Sequence, residues 1–363
     1  MTLLLALLPC AARAVVDGEP FAPLASLRVA GGVVVTGNTL MSQSVIAPQV
    51  NSALLRSSAG DLRGTPADAE LEAAWLYWSG SIEGAPDRTA DLTAADGAFF
   101  DDIAADRCLT VNRLGGFFAC RADVTARLRD HAGNQAWSGT YRVGDVTAQP
   151  GIVGRNGQCR DPNCQAKYAA WSLVLVYRSQ SAPRVHDVLV HDGFRFFDED
   201  QNSPGIDRFV IGGFDFPAGG QARLTLFGLE GDSFLGVPPQ DTDPFVPCDD
   251  CFDFMEFAGT RLGDALNPPG NLFNSSSPGG FTLGLDLDTF DVSNLLRAGD
   301  RQAEIVVGSG DGNVDPDAPG GAGEAFLLGF VVLDIERDAA PADISGPETN
   351  KIAVDLNAGP LEP

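Results

Sequence analysis

At 363 residues the chain is long enough to bury one large core or two medium ones, two being the softer expectation. Its 42 glycines and 24 prolines favour many short elements joined by turns over long helices. Acidic residues outnumber basic ones 49 to 24, a formal charge of −25, and such a field argues against nucleic acid and anionic lipid as partners while suiting calcium, other cations or plain solubility.

The chain opens "MTLLLALLPCAARA", an apolar run ending in the small-x-small set Ala12-Arg13-Ala14. That arrangement predicts a signal peptide over residues 1–14, and with it a secreted or cell-surface protein. The run is too short to span a bilayer, and no later segment reaches the roughly 18 consecutive apolar residues a membrane helix needs. Six cysteines follow Cys10: Cys108, Cys120, Cys159, Cys164, Cys248 and Cys251. An even number in an exported chain implies disulfides, and the clustering suggests three local bridges, 108–120, 159–164 and 248–251, with other connectivities left open.

Strand candidates then succeed one another: "LRVAGGVVVTG", "LEAAWLYWSG", "TYRVGDV" and "YAAWSLVLVY" as far as residue 180. Beyond it come "RVHDVLVHD", "DRFVIGGFDF", "ARLTLFGL", "FTLGLDL", "AEIVVG" and "EAFLLGFVVLDI". Short runs of this kind between turn residues predict an all-β, antiparallel β-sandwich, jelly-roll or immunoglobulin-like, with few short helical turns. "WSLVLVY" and "FLLGFVVL" are apolar on both faces and read as central strands covered on both sides.

One internal echo organises the chain. "ADVTARLRDHAGNQAWSGTYRVGDVT" at 122–147 and "FDVSNLLRAGDRQAEIVVG" at 290–308 share Asp-Val-(Thr/Ser), a leucine-bearing turn, a glycine and an alternating strand. Asp123 and Asp291 suit helix N-caps, and Gly133 and Gly299 suit left-handed helix ends. The echo predicts two tandem related sandwiches, residues 15–180 and 181–336. A polar linker, "RDAAPADISGPET" at 337–349, follows. The last stretch, 350–363, again alternates through Ile352, Val354 and Leu356, and reads as the first strand of a truncated further module.

The chemistry is sparse. There is no Gly-x-Ser-x-Gly elbow, His-Glu-x-x-His, P-loop or Rossmann glycine pattern. His186 and His191 are five apart on one strand and so face opposite sides, although the Asp after each suits orienting an imidazole. "CDDC" at 248–251 sits among acids that blunt thiol reactivity and lacks further zinc ligands, so a disulfide is the better reading. Asp311, Asn313, Asp315 and Asp317 alternate among glycines like the front half of a calcium loop, without a glutamate at the twelfth position. Asp198, Asp200 and Asn202, with Asp207, form a second calcium candidate; ordinary turn chemistry accounts for either set equally well. Trp75, Tyr77 and Trp78 sit in an alternating strand, where core packing is a better reading than a sugar platform.

Several stretches in order, "VVVTGNTLM", "AAWLYWSG", "YAAWSLVLVYR" leading to "HDGFRFF", "GNLFNSS", "LDTFDVSNLL" and "AFLLGFVVLDIE", carry a resemblance over roughly residues 27–335. They resemble the N-terminal module of large exported bacterial surface proteins that continue into immunoglobulin-like "conserved repeat domain" modules, some with gliding-motility or adhesin labels. The resemblance implies a cell-surface β-sandwich, C-terminal repeat modules in the full-length protein and no catalytic residue; "KIAVDLNAGPLEP" looks like such a repeat's opening strand. The leading expectation is a non-enzymatic, exported module for adhesion or for contact with an envelope or extracellular polymer, protein or polysaccharide. The rival readings are a calcium-dependent carbohydrate-binding module and a secreted polysaccharide hydrolase using paired carboxylates.

Overall fold

In the computed structural model, which describes residues 16–42, 53–132, 137–154, 164–198, 205–229, 231, 253–310 and 325–338, strand β1 (Val16–Thr39) is 24 residues long. β2 (Ser57–Leu62), β3 (Glu70–Ser81), β4 (Thr89–Thr93), β5 (Phe99–Ala104), β6 (Arg107–Val111) and β7 (Phe117–Asp123) precede helix α1 (Thr125–Ala132). β8 (Gly139–Gly144), a short pair β9 (Gly151–Gly154) and β10 (Cys164–Lys167), and β11 (Ala169–Arg178) complete the first half. The second half runs through β12 (Arg184–Phe197), β13 (Gly205–Gly212), β14 (Gln221–Leu229), β15 (Asp253–Phe257) and β16 (Thr260–Arg261). β17 (Ser276–Ser277), β18 (Gly280–Phe281), β19 (Leu285–Asp291), a 3₁₀ turn at Ser293–Leu295, β20 (Gln302–Ser309) and β21 (Phe326–Asp338) follow.

The strands form one nine-stranded antiparallel sheet, β19-β14-β21-β12-β1-β11-β3-β7-β6, and two four-stranded sheets, β2-β8-β4-β5 and β13-β20-β15-β16. Each half repeats one winding. Setting aside the added β6 and the short pairs, the first, third, sixth and eighth strands of a half lie in the large sheet, and the others lie in its four-stranded sheet. That is the connectivity of a jelly roll, which selects it over the immunoglobulin-like alternative. The echoed blocks occupy equivalent places: β7, α1 and β8 in one half, β19, the 3₁₀ turn and β20 in the other.

The turn between β11 and β12 lies at the expected division near residue 180, yet the large sheet runs across it. β1 changes partner midway: Val16–Ala30 pair with β12, and Gly31–Thr39 pair with β11. Gly31 stands at the switch because the Tyr177 carbonyl approaches so closely that an added Cβ would lie 1.9 Å from it. Asp187, fully buried on β12, is clasped by Arg28 of β1 (2.6 and 3.1 Å) and Arg337 of β21 (3.0 Å). Residues 337 and 338, expected to open the linker, thus still belong to β21, and Arg337 earns that place by helping to neutralise a buried carboxylate. The rest of the linker and the 350–363 strand lie outside the described residues, as does the 1–14 segment.

The apolar patterning explains the layers. β11 is buried at every position from Ala169 to Tyr177, as its doubly apolar run requires of a strand covered on both faces. On one side Trp78 and Trp171 face each other across β3 and β11, each indole N–H satisfied, by the Asp87 carbonyl and by Ser58 Oγ. On the other, Tyr77 packs on Phe330 (ring centroids 4.7 Å apart), which stacks on Phe227 (5.1 Å), so the halves of the large sheet meet through aromatic rings. Trp75, Tyr77 and Trp78 are all buried and are core residues.

Cys108 and Cys120 form a disulfide between the paired strands β6 and β7. Closing so short a loop stabilises by about 3 kcal/mol. Cys159, Cys248 and Cys251 lie outside the described residues, and with them the 159–164 and 248–251 pairs. Asp123 and Asp291 act alike, though not as N-caps: each carboxylate accepts the N–H two residues on, from Thr125 and Ser293 (both 2.9 Å), an Asx turn leading into the helical segment. Among the described residues no helix is long and apolar enough to cross a membrane.

Candidate functional site

The outer face of the β2-β8-β4-β5 sheet carries an open cleft of about 540 Å³. Strand alternation builds it. In β4, Ala90 and Leu92 point into the core while Asp91 and Thr93 point out. Across the ladder, Asp91 and Ser57 both pair with Gly144, and Thr93 pairs with Arg142 on one side and Phe99 on the other. These residues therefore share one surface. Phe99 stands in it 61% exposed, the most exposed large apolar side chain among the described residues.

A β-bulge supplies the charge. Ala90 pairs with Ile103 and Leu92 with Phe100, so Asp91 faces two residues, Asp101 and Asp102. Asp102 takes up the extra residue in the left-handed region (φ 45°) and donates its N–H to Asp91 Oδ1 at 3.0 Å. Asp145, just beyond β8, is also left-handed (φ 56°), its N–H held by the Arg56 carbonyl at 3.1 Å. The two bends bring Asp91, Asp102 and Asp145 together, with carboxylate oxygens all within 4.8 Å of one another. Partial burial, followed by the charges of Asp145, Asp102 and Asp101, raises the Asp91 pKa above the ordinary carboxylate value. Converging carboxylates of this kind favour a hard cation bound through oxygen, and Phe99 adds an apolar face at the rim.

Of the calcium candidates read from the sequence, the two within the described residues, Asp198 and Asp207, do not line this cleft. Asp311, Asn313, Asp315, Asp317, Asp200 and Asn202 lie outside the described residues. Asp198 follows β12 with its carbonyl close against Gly205, and Asp207 is taken by Arg195 at 2.6 Å. His186 and His191 do not come together. His186 Nδ1 bonds Asp334 at 2.7 Å, while His191 is buried; the Asp that follows each serves arginines instead, Asp187 as described and Asp192 through Arg107 and Arg121. The cleft aspartates gave one sequence signal, Asp91 at an outward position of the alternating "TADLT". Its partners 11 and 54 residues further on are joined to it only by the bulge and the cross-strand register.

No known family matches the chain, and no curated protein matches it. Among solved structures it is similar to BuGH86 in complex with neoagarooctaose, at 9% identity and TM-score 0.22, over 77% of this chain and 32% of that one. The chain thus spans about a third of that protein's length. It is also similar to a component of the Sputnik virophage (8% identity, TM-score 0.20, 84% and 86% of the two chains). A third is a peptide-N(4)-(N-acetyl-β-D-glucosaminyl)asparagine amidase (10% identity, TM-score 0.21, 85% and 97%). At such TM-scores these likenesses carry no argument about this chain.

Proposed function

We propose that the protein is an exported, cell-surface module that holds an extracellular polysaccharide in the cleft on its first jelly roll, with calcium at Asp91, Asp102 and Asp145. The observation that carries this reading is the exposed Phe99 beside three carboxylates whose oxygens converge within 4.8 Å. A pyranose ring offers an apolar face for Phe99 and hydroxyls for the open coordination positions of a cation, so one sugar satisfies both features. The "MTLLLALLPCAARA" segment supports export, and the resemblance to bacterial surface proteins supports adhesion or matrix contact, gliding motility included, with no catalysis of its own. C-terminal repeat modules would then carry the cleft away from the cell.

The test is a polysaccharide panel probed with the full chain, with and without chelator. Binding is expected to be lost with chelator and reduced at least tenfold by Phe99→Ala or by Asp102→Asn with Asp145→Asn. Binding that survives chelator removes calcium from the reading; no binding to any polysaccharide removes the reading itself. The raised Asp91 pKa beside a second carboxylate within 4.8 Å favours one alternative, a carboxylate-based hydrolase, and release of reducing ends from a bound polysaccharide would establish it.

A further inference from the structure

The cleft carries positive charge beside its carboxylates. On β8, Arg142 is exposed between the core residues Tyr141 and Val143, and it pairs with Ala59 of β2 on one side and Thr93 of β4 on the other. Thr93 pairs in turn with Phe99, so Arg142, Thr93 and Phe99 stand in one row across the sheet. The adjacent row, two residues along each strand and so roughly 7 Å away, holds Ser57, Gly144 and Asp91. Gly144 leaves the centre of that row without a side chain, because a Cβ there would stand 2.6 Å from the Arg56 carbonyl oxygen and 2.8 Å from Ser57 Cβ. Arg56, also exposed, lines the cleft together with Arg142 and Asp145.

Neither guanidinium is taken by an acid. Arg142 Nη1 donates to a neutral hydroxyl, Ser57 Oγ, at 3.3 Å, and among the described residues neither Arg142 nor Arg56 forms an ion pair. The corresponding four-stranded sheet of the second jelly roll behaves otherwise: its Arg208 pairs with Glu304 at 3.5 Å and its Arg261 with Glu256 at 3.7 Å. The first sheet thus keeps two arginines free of acids in a chain where acids outnumber bases 49 to 24, and it does so beside three converging carboxylates. Those carboxylates outnumber the two guanidiniums, so the cleft is negative without a cation, and one bound dication reverses its sign.

We infer that the polysaccharide held in the cleft is a polyuronate, with a sugar carboxylate shared between the calcium ion and the Arg142 guanidinium and a further acid of the chain taken by Arg56. The inference rests on the reading of the cleft as a calcium-dependent polysaccharide site and adds the class of sugar. A planar guanidinium takes a carboxylate through parallel N–H donors, and the same carboxylate keeps lone pairs for calcium. A neutral sugar offers Arg142 hydroxyls alone, which make the weaker hydrogen bond. A sulfate ester would serve the arginines, but it is not among the carboxylate, carbonyl and water oxygens that calcium usually takes in proteins. Phe99, in the row of Arg142, is placed to cover the apolar face of the ring. The acidic field of the rest of the molecule is screened beyond about 8 Å at physiological ionic strength, so the charges within the cleft decide. Acceptance of the acid is therefore tied to calcium.

The experiment titrates the full chain, in calcium, with oligomers of galacturonate, mannuronate, guluronate and glucuronate too short to gel, each beside its carboxyl-reduced counterpart. At least one uronate is expected to bind about tenfold tighter than its reduced form. Arg142→Gln is expected to remove most of that preference, and Arg208→Gln, which removes one positive charge from the other jelly roll, to leave it whole. A preference that survives Arg56→Gln with Arg142→Gln overturns the inference. Reduced oligomers that bind as tightly as the uronates also overturn it, while leaving the polysaccharide reading in place; no binding by either form removes both. A sulfated galactan oligomer that binds as tightly as the best uronate overturns the carboxylate assignment in favour of a general anion site. Should the Arg142 variant fail to fold, the wild-type preference for acid over reduced oligomer still decides.

Discussion

His191 sits on β12 with its Nδ1 buried and unpartnered, and burial alone lowers its pKa to about 4. The unfolded imidazole takes up a proton near 6.5, so between 6.5 and 4 the unfolded state binds more protons than the folded one. The stability due to neutral His191 is therefore complete above pH 6.5 and is lost as pH falls toward 4. Asp288 has the opposite sign: burial raises it to about 7, so its contribution is complete below the unfolded value of 3.8 and is lost as pH rises through 7. Denaturant titrations of His191→Gln at pH 4.5 and 7 should show a smaller acid loss than wild type. An unchanged difference would mean that His191 is not held neutral.

At the level of the strand, β1 is defined by its change of partner and Gly31 by its place at the change. With 1.9 Å between a Cβ and the Tyr177 carbonyl, Gly31→Val must push β1 off β11. The expected cost is about 2–3 kcal/mol, or roughly 3 °C in Tm for a chain of this length. A variant melting with the wild type would show that the strands part there at little cost. "LRVAGGVVVTG" announced a strand, and its two glycines an irregularity, but nothing local to it could show that Val29 and Val33 lie against different halves of the molecule. The doubly apolar runs of β11 and β21 were legible because burial on both faces leaves its mark on every residue. The cleft was not, because Asp91, Asp102 and Asp145 meet through a bulge and two left-handed residues, which period-2 alternation cannot encode. Nor did alternation mark Asp286 and Asp288 as buried: "LDLDTFD" reads as a half-exposed strand, whereas both acids are buried and Asp286 accepts the N–H groups of Asn274 and Ser276.

For the molecule as a whole, the echo between the blocks at 122–147 and 290–308 corresponds to one strand order used twice, while the shared sheet makes the two uses interdependent. Without β1, β12 would be an exposed edge and Asp187 would lose Arg28. Asp192 on β12 is likewise held by Arg107 of β6 and Arg121 of β7. Breaking such pairs costs several kcal/mol because the charge left behind stays buried. Calorimetry should accordingly show one cooperative transition; two resolved peaks would show that the halves melt as separate units.

The ends of the large sheet have a mechanical consequence. Val16 lies at the Phe197 end of β12, while Arg337 and Asp338 lie at its Arg184 end, and β1 and β21 flank β12 on opposite sides. Tension applied between the first and last described strands therefore runs along their axes, dragging β1 and β21 in opposite directions past β12. The hydrogen bonds of both ladders share that load in shear and do not open one at a time. A molecule anchored at one end and pulled at the other would bear the strain on its longest, best-paired strands.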